Sequence, residues 1–284
     1  MEIKRVAVLG AGIMGNDITQ VSAAAGFEVW LRDVEEKFIQ NGIANIEKSL
    51  ARMVKAGKLN PEEIPKILDR VKTTTELPRA VQGADLVIEA IPENLELKKK
   101  IFKDLDQLCH AAAILATNTS NFSITAIGAV TRRPHKVVGL HYFNPPAMMK
   151  LIEVVRGLET SEDTLQIVLD FARRSGKETV LCKDSQGFIT SRIINIWLTE
   201  AERILEEGIA TKEDIDKACR LAFNHPMGPF ELSDFSGLDT KLYVADSLHQ
   251  SFGDRFRSSQ SLRNLVAAGH LGRKSGKGWY KYSK

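Results

Sequence analysis

The chain has little that marks a secreted, metal-binding or membrane-spanning protein. It holds only three cysteines in 284 residues (Cys109, Cys182 and Cys219), and none forms a C-x-x-C pair. This argues against a disulfide framework and a metal site, and indicates a reduced, intracellular protein. No apolar run approaches the roughly 20 residues needed to cross a bilayer. The N-terminus enters a strand pattern directly, so we expect no membrane contact and no signal peptide.

The chain also has little excess of positive over negative charge. The 39 basic and 36 acidic residues leave a net charge of +3, too small to indicate a nucleic-acid partner. Hydrophobic residues make up 43% and charged residues 26%, as in ordinary globular proteins. The length allows one large domain or two ordinary ones. Function must therefore be sought in motifs rather than in bulk composition.

The most informative motif lies at the start of the chain. Residues 6–9 form an apolar run typical of a strand buried on both faces of a parallel sheet. Gly10, Gly12 and Gly15 follow in G-x-G-x-x-G spacing, and a helical pattern begins there. Strand, glycine turn and helix in this order are typical of a dinucleotide site, where the helix start binds the phosphates.

An acidic residue follows at a suitable distance. Residues 28–33 predict a second strand, and its last residue, Asp33, lies 23 positions after Gly10. This is close to the spacing of a carboxylate that bonds the adenosine ribose. Because its charge would repel a 2′-phosphate, the sequence favours NAD over NADP. The alternative is that the glycines only form a turn and Asp33 only ends a strand.

Strand and helix patterns then alternate up to about residue 184, including a strand at residues 86–91 that is apolar but for Glu89. We predict a doubly wound α/β (Rossmann-type) sheet domain over residues 1–184, with a helical hairpin inserted at about residues 35–70. From 185 to 284 only helical patterns recur, which predicts an all-helical C-terminal domain for substrate binding and dimerisation. Its first helix is apolar on much of its circumference, so we expect a homodimer through this domain.

The tip of the predicted hairpin is basic. Arg52, Lys55 and Lys58, called here the basic tip, lie close together in sequence. They form either a solvated charged face or a docking point for an anionic group of the substrate.

Three polar residues near the ends of later predicted strands carry the candidate chemistry: Ser120, His141 and Glu153. The carboxyl ends of parallel strands meet at one edge of a sheet. A carboxylate beside an imidazole favours the protonated ring and fixes its tautomer. Such a pair can accept a proton while an alcohol loses hydride. The alternative is that His141 is a structural histidine.

Several motifs that follow one another along the chain together resemble those of a known family. They are residues 10–15 (GAGIMG), 89–94 (EAIPEN), 118–120 (NTS), 139–145 (GLHYFNP), 225–229 (HPMGP) and 272–278 (GRKSGKG). Over essentially its whole length the chain resembles the L-3-hydroxyacyl-CoA dehydrogenases, particularly the bacterial 3-hydroxybutyryl-CoA dehydrogenases.

The resemblance implies a role for each site residue. His141 is then the catalytic base, Glu153 its carboxylate partner, and Ser120 a contact to substrate and cofactor. NAD binding is implied for Gly10, Gly12, Ile13, Met14, Gly15, Asp33, Glu93, Lys98, Ser120, Asn144 and Lys274. CoA contacts are implied for Ser49 and Ser120, and Lys55 replaces a family lysine that aligns with Ala56.

Two positions depart from the family pattern. Ser191 stands where the family often has asparagine, and we expect it to help position the substrate oxygens with one hydrogen bond rather than an amide fork. Asn16 and Asp17 stand where small residues are usual, and we expect Asp17 to point away from the ligand.

The implied reaction interconverts an L-3-hydroxyacyl-CoA, with 3-hydroxybutyryl-CoA as the expected substrate, and a 3-ketoacyl-CoA. NAD is the expected cofactor, no metal is needed, and a cytoplasmic role in fatty acid metabolism follows. Two alternatives remain open at this point. One is a dehydrogenase of the same fold that acts on a free hydroxy acid, and the other is a non-catalytic NAD-binding protein.

Overall fold

The computed structural model describes residues 1–282. The chain forms two compact units, Met1–Ser185 and Gln186–Lys284. The first is built on a sheet and is called the sheet unit. The second is built from helices and is called the helical unit.

The sheet unit contains eight strands and seven α-helices. In chain order they are β1 (Arg5–Leu9), α1 (Ile13–Ala24), β2 (Glu28–Arg32), α2 (Glu36–Lys55), α3 (Glu63–Asp69), β3 (Val71–Thr74), α4 (Leu77–Val81), β4 (Leu86–Glu89), α5 (Leu95–Leu108), β5 (Ile114–Thr117), α6 (Ile124–Gly128), β6 (Val137–Tyr142), β7 (Leu151–Arg156), α7 (Glu162–Arg174) and β8 (Glu178–Lys183).

The strands form one sheet in the order β3-β2-β1-β4-β5-β6-β7-β8. All neighbours run parallel except β6 and β7, which are antiparallel. The order reverses between β1 and β4, so the loops after these strands diverge and leave a crevice at the carboxyl edge. This confirms the predicted doubly wound sheet.

Apolar periodicity explains where the elements pack. Residues 6–9 of β1 have no exposed surface, as expected for a strand covered on both faces. Along α2 the buried positions are Ile39, Gly42, Ile46 and Leu50, spaced three to four apart on one face. A Cβ on Gly42 would lie 3.2 Å from the Ala11 Cβ, so α2 packs closely against the glycine turn.

The helical unit holds α8 (Thr190–Glu206), α9 (Lys212–Phe223), α10 (Pro229–Ser236), α11 (Leu238–Phe252) and α12 (Gln260–Ala267). Ala201, Ile215 and Phe230 form a small core beside Trp279. The Asp216 carboxylate accepts hydrogen bonds from the Phe230 and Glu231 N–H groups at the start of α10. The predicted all-helical region is thus confirmed.

Some large apolar side chains of the helical unit face solvent. Ile193 on α8 is 62% exposed, although the pattern of this helix predicts burial or a partner. Leu221 and Phe223 at the end of α9 are 76% and 62% exposed. Phe235 and Tyr243 are exposed as well.

Two local predictions need correction. The strand predicted at residues 86–91 ends at Glu89, because the Ile91 N–H donates to the Glu89 carboxylate and turns the chain. Helix α4 was not predicted, since it has only five residues and contains Pro78 near its start.

The three cysteines are free thiols. Burial raises the pKa of Cys109 and of Cys182 to about 11, which keeps both protonated near neutral pH. Among residues 1–282, no helix is long and apolar enough to span a membrane.

Candidate active site

The glycine turn after β1 is shaped by close backbone contacts at two of its glycines. Gly10 has a φ of +105°, and a Cβ there would lie 2.5 Å from the Ala90 carbonyl oxygen. A Cβ on Gly15 would lie 1.7 Å from the Gly10 carbonyl oxygen. Side chains are therefore impossible at both positions, because the chain after β4 and the first turn of α1 press against the turn.

Gly12 has the opposite environment. Nothing lies within 4 Å of the place that its Cβ would take, and it is exposed where α1 begins. Ile13 and Met14 follow in the first helical turn, whose amide hydrogens have no partner within the helix. Open backbone with amide donors and a positive dipole end fits the pyrophosphate of a dinucleotide.

Asp33 lies at the end of β2 beside this turn. Its Oδ2 accepts from the Ala11 N–H at 2.6 Å, and its Oδ1 accepts from the Val34 N–H at 2.6 Å. The carboxylate is half-buried, and each oxygen has lone pairs left for a ribose hydroxyl. Asp33 therefore ties β2 to the glycine turn, a role that sequence reasoning missed.

His141 and Glu153 lie directly opposite each other on the antiparallel strands β6 and β7. Opposed residues of such a pair project from the same face of the sheet. His141 Nδ1 lies 2.6 Å from Glu153 Oε2, and the Glu153 side chain is fully buried. The Phe143 ring packs 4.7 Å from the imidazole centroid. This arrangement holds the imidazole ring in one orientation.

Ser120 follows β5, and Glu93 follows β4. Glu93 Oε1 accepts from the Thr119 hydroxyl at 2.6 Å and from the Ser120 N–H at 3.1 Å. The two loops at the carboxyl edge are therefore joined through one carboxylate, which positions the Ser120 backbone.

Lys98 lies behind these loops on α5 and is fully buried. Its Nζ is 2.7 Å from Glu89 Oε1, 3.2 Å from Glu93 Oε2 and 3.4 Å from the Ile91 carbonyl oxygen. The ammonium group thus has three acceptors within the protein, matching its three hydrogens.

Asn144 is exposed after β6, at the start of the loop 144–150. Lys177 Nζ donates to the Pro146 and Met149 carbonyl oxygens of this loop, at 2.5 and 2.8 Å. Asp17 Oδ2 lies 3.5 Å from the Ala147 N–H. Two side chains of opposite charge, Lys177 and Asp17, therefore contact the backbone of this loop.

Burial shifts both of these charged groups. It raises the pKa of Asp17, although the Ala147 N–H and the charges of Arg52 and Lys177 oppose the rise. It lowers the pKa of Lys177 against the opposing charge of Asp17.

The hairpin residues lie at the end of α2 and in the turn after it. Ser49 is half-buried, whereas every residue of the basic tip is exposed. The tip can therefore contact an anionic ligand without rearrangement.

Ser191 and Lys274 belong to the helical unit. Ser191 is half-buried in the first turn of α8, and its carbonyl oxygen accepts from Asn195 Nδ2 at 2.7 Å. Lys274 Nζ lies 2.6 Å from both carboxylate oxygens of Asp239. Burial alone would raise the pKa of Asp239, but the hydrogen bond and the charge of Lys274, together with backbone hydrogen bonds at Thr240 and Asp239, outweigh it and lower the pKa.

The sheet unit brings the glycine turn, Asp33, Glu93, Ser120, His141 and Asn144 to the ends of its strands or the loops that follow them. Sequence reasoning passed over Glu89, Thr117, Thr119 and Lys177. Only Glu89 left a signal, as one charged residue inside an apolar strand. Within residues 1–282, no three His, Cys, Asp or Glu side chains are grouped as metal ligands.

Family models cover nearly the whole chain. The model described as "3-hydroxyacyl-CoA dehydrogenase, NAD binding domain" matches residues 5–185. The model described as "3-hydroxyacyl-CoA dehydrogenase, C-terminal domain" matches residues 187–282.

Individual proteins and structures are similar along all or most of their length. A probable 3-hydroxybutyryl-CoA dehydrogenase of Bacillus subtilis is 44% identical, covering 100% of this chain and 99% of that protein. The mitochondrial hydroxyacyl-coenzyme A dehydrogenase of Mus musculus is 44% identical, covering 99% and 91%. The crystal structure of (S)-3-hydroxybutyryl-CoA dehydrogenase from Ralstonia eutropha aligns with a TM-score of 0.96 at 41% identity, covering 100% of both chains.

Proposed function

Since the chain belongs to the 3-hydroxyacyl-CoA dehydrogenase family, we propose that His141 and Glu153 carry out the proton transfer of its reaction. The enzyme is an NAD-dependent oxidoreductase that interconverts an L-3-hydroxyacyl-CoA and a 3-ketoacyl-CoA. The observation that carries the assignment of His141 and Glu153 is the 2.6 Å contact between His141 Nδ1 and Glu153 Oε2.

His141 accepts the proton of the C3 hydroxyl at Nε2, the ring nitrogen that does not face Glu153. Glu153 stabilises the imidazolium that forms and holds the ring in place. NAD, when bound, supplies the acceptor for the hydride that leaves C3. In the reductive direction His141 returns the proton to the developing alkoxide.

Residues of the crevice bind and orient the reactants. The open backbone at Gly12, Ile13 and Met14 binds the pyrophosphate, between Gly10 and Gly15. Asp33 bonds the adenosine ribose and disfavours a 2′-phosphate. Glu93 and Asn144 contact the nicotinamide end, and Lys98 takes part through the Glu93 carboxylate that it holds. Ser120 contacts both substrate and cofactor.

The substrate is a short acyl-CoA, with 3-hydroxybutyryl-CoA as the specific proposal. This is supported by the names of the Bacillus subtilis and Ralstonia eutropha relatives. CoA carries phosphate groups, and the exposed cations of the basic tip suit such anions. Lys55 and Ser49 make the CoA contacts on the hairpin, and Ser120 contacts the acyl end.

The helical unit contributes to substrate binding and to assembly. Ser191 orients the substrate oxygens, and Lys274 binds NAD. A homodimer through this unit is supported by the exposed Ile193, Leu221 and Phe223, which an aqueous monomer would leave in contact with water. Sedimentation equilibrium measures the mass directly, and a mass of one chain at micromolar concentration would refute the dimer.

A cytoplasmic location is supported by the three free cysteines, which suit a reducing compartment. An acyl-CoA substrate also supports a role in fatty acid metabolism.

The deciding experiment follows NADH oxidation by acetoacetyl-CoA, beside free acetoacetate and beside NADPH as the electron donor. Turnover with acetoacetyl-CoA and NADH alone is expected. Turnover of free acetoacetate would contradict the CoA requirement. Tight NADH binding without turnover of either compound would refute the assignment of the catalytic pair, and equal use of NADPH would refute the role of Asp33.

A further inference from the structure

A buried carboxylate lies beneath the crevice and touches none of the residues assigned to proton transfer. Glu89 is the last residue of β4, in the middle of the sheet, and it is fully buried. Its Oε1 accepts from the Ile91 N–H at 2.8 Å and from Lys98 Nζ at 2.7 Å, and its Oε2 accepts from the Thr117 hydroxyl at 2.7 Å. Both oxygens are satisfied, as a charge kept in the interior requires.

A chain of contacts leads from Glu89 to the crevice. The ammonium of Lys98 lies between Glu89 and Glu93. Glu93 in turn accepts from the Ser120 N–H. Because Thr117 is the last residue of β5 and Ser120 lies three residues further along the chain, the contacts close a ring that ties the ends of β4 and β5 to α5. This ring is called the buried relay: Glu89, Lys98, Glu93, Thr117, Thr119 and Ser120.

The relay has one negative charge in excess, because it contains two carboxylates and one ammonium. The Glu89 and Lys98 side chains are fully buried, whereas 29% of the Glu93 side chain is exposed. The excess charge therefore reaches the crevice at Glu93. Nicotinamide is cationic in NAD⁺ and neutral in NADH, so a nearby negative charge discriminates between the two forms.

We propose that Glu89, through Lys98 and Glu93, biases the bound cofactor towards its oxidised form. Glu89 balances the charge of Lys98, which leaves the charge of Glu93 uncompensated at the crevice. It is a positioning residue, since it acts through another side chain. The inference rests on the proposed function, in which Glu93 contacts the nicotinamide end.

The test is Glu89→Gln, with dissociation constants for NADH and NAD⁺ measured separately in the absence of substrate. NADH is titrated by fluorescence and NAD⁺ by calorimetry. The variant leaves Lys98 to neutralise Glu93, so the Kd for NAD⁺ should rise relative to that for NADH. With an effective dielectric constant of about 40, between the roughly 20 of a protein interior and the roughly 80 of water, a unit charge about 6 to 10 Å away changes this ratio roughly four- to tenfold.

A double variant separates charge from structural damage. Glu89→Gln with Lys98→Met removes both charges of the pair and leaves that of Glu93, so the ratio of the two constants should return to the wild-type value. Glu96→Gln removes an exposed charge on the first turn of α5 and serves as the control, because it should leave the ratio unchanged.

Two results would overturn the inference. One is an unchanged ratio in Glu89→Gln, even if the melting temperature falls. The other is a double variant whose ratio departs further from the wild-type value than that of the single variant. Failure of the proposed function is distinguishable, because the unmodified enzyme would then fail to bind NADH or to reduce acetoacetyl-CoA.

Discussion

Glu153→Gln tests the proposed proton-transfer pair most directly. The substitution keeps the shape of the side chain and removes its charge in a fully buried position. Glu153 then no longer stabilises the positive charge that His141 acquires when it accepts the hydroxyl proton. The ground state, with a neutral imidazole, loses much less.

The structure allows the loss to be estimated. The contacting atoms are 2.6 Å apart, and both charges are spread over several atoms. With an effective separation of about 4 Å and an effective dielectric constant of about 20, the attraction is about 4 kcal/mol. Because the proton is only partly transferred in the transition state, part of this energy is lost there. Each 1.36 kcal/mol is tenfold in rate, so we expect kcat for alcohol oxidation to fall about 10²- to 10³-fold.

The assay measures kcat for oxidation of L-3-hydroxybutyryl-CoA and for reduction of acetoacetyl-CoA, together with the Kd for NADH. Glu178→Gln, the same change at an exposed residue where β8 begins, serves as the control. A kcat within about threefold of wild type in both directions would refute the role of Glu153.

Three further predictions address the other parts of the argument. His141→Ala should lower kcat about 10²- to 10⁴-fold in both directions while the Kd for NADH is retained, and near-normal turnover would remove His141 from the mechanism. Changing every residue of the basic tip to glutamine should raise the KM for acetoacetyl-CoA about tenfold, because each exposed ion pair is worth up to about 1 kcal/mol. Lys37→Gln at the other end of α2 is the control, and an unchanged KM would show that CoA is held elsewhere. Burial alone would raise the pKa of Asp106, but hydrogen bonds from Arg132 and Arg133 outweigh it and hold the pKa below 3.8. The ionised carboxylate thus stabilises the fold above about pH 4 and this stability is lost in acid, so the reduction in Tm caused by Asp106→Asn should shrink below about pH 4 and should not stay constant.

The parts of the molecule that depend on local pattern could be predicted. The glycine spacing placed the turn after β1, because Gly10 and Gly15 each meet backbone that no side chain could share. Apolar runs identified the buried strands, and their end in polar residues marked the carboxyl edge. These features depend on a few neighbouring residues, so the sequence contains the information that determines them.

The parts that depend on contacts between distant segments could not be predicted. The helical pattern alone predicts that Lys98 is exposed. In the fold its side chain is buried against Glu89, which lies at the end of β4. Lys177 lies before β8 and supports a loop 28 to 31 positions earlier. In both cases the order of strands in the sheet determines which residues become partners. The periodicity of apolar residues along the sequence does not predict that order.

The pairing of His141 with Glu153 lies between these two cases. Residues 143–150 separate β6 from β7. This connection is too short for the crossover that parallel neighbours require. Strand β7 must therefore run antiparallel and start at the carboxyl edge, which brings its early residues beside the late residues of β6. The direction could have been derived from the spacing, whereas the register could not. A slip of one residue would turn Glu153 to the opposite face of the sheet and leave His141 without its carboxylate. Lys177 Nζ donates to two carbonyl groups of this loop, which opposes such a slip and keeps the proposed proton-transfer pair in register.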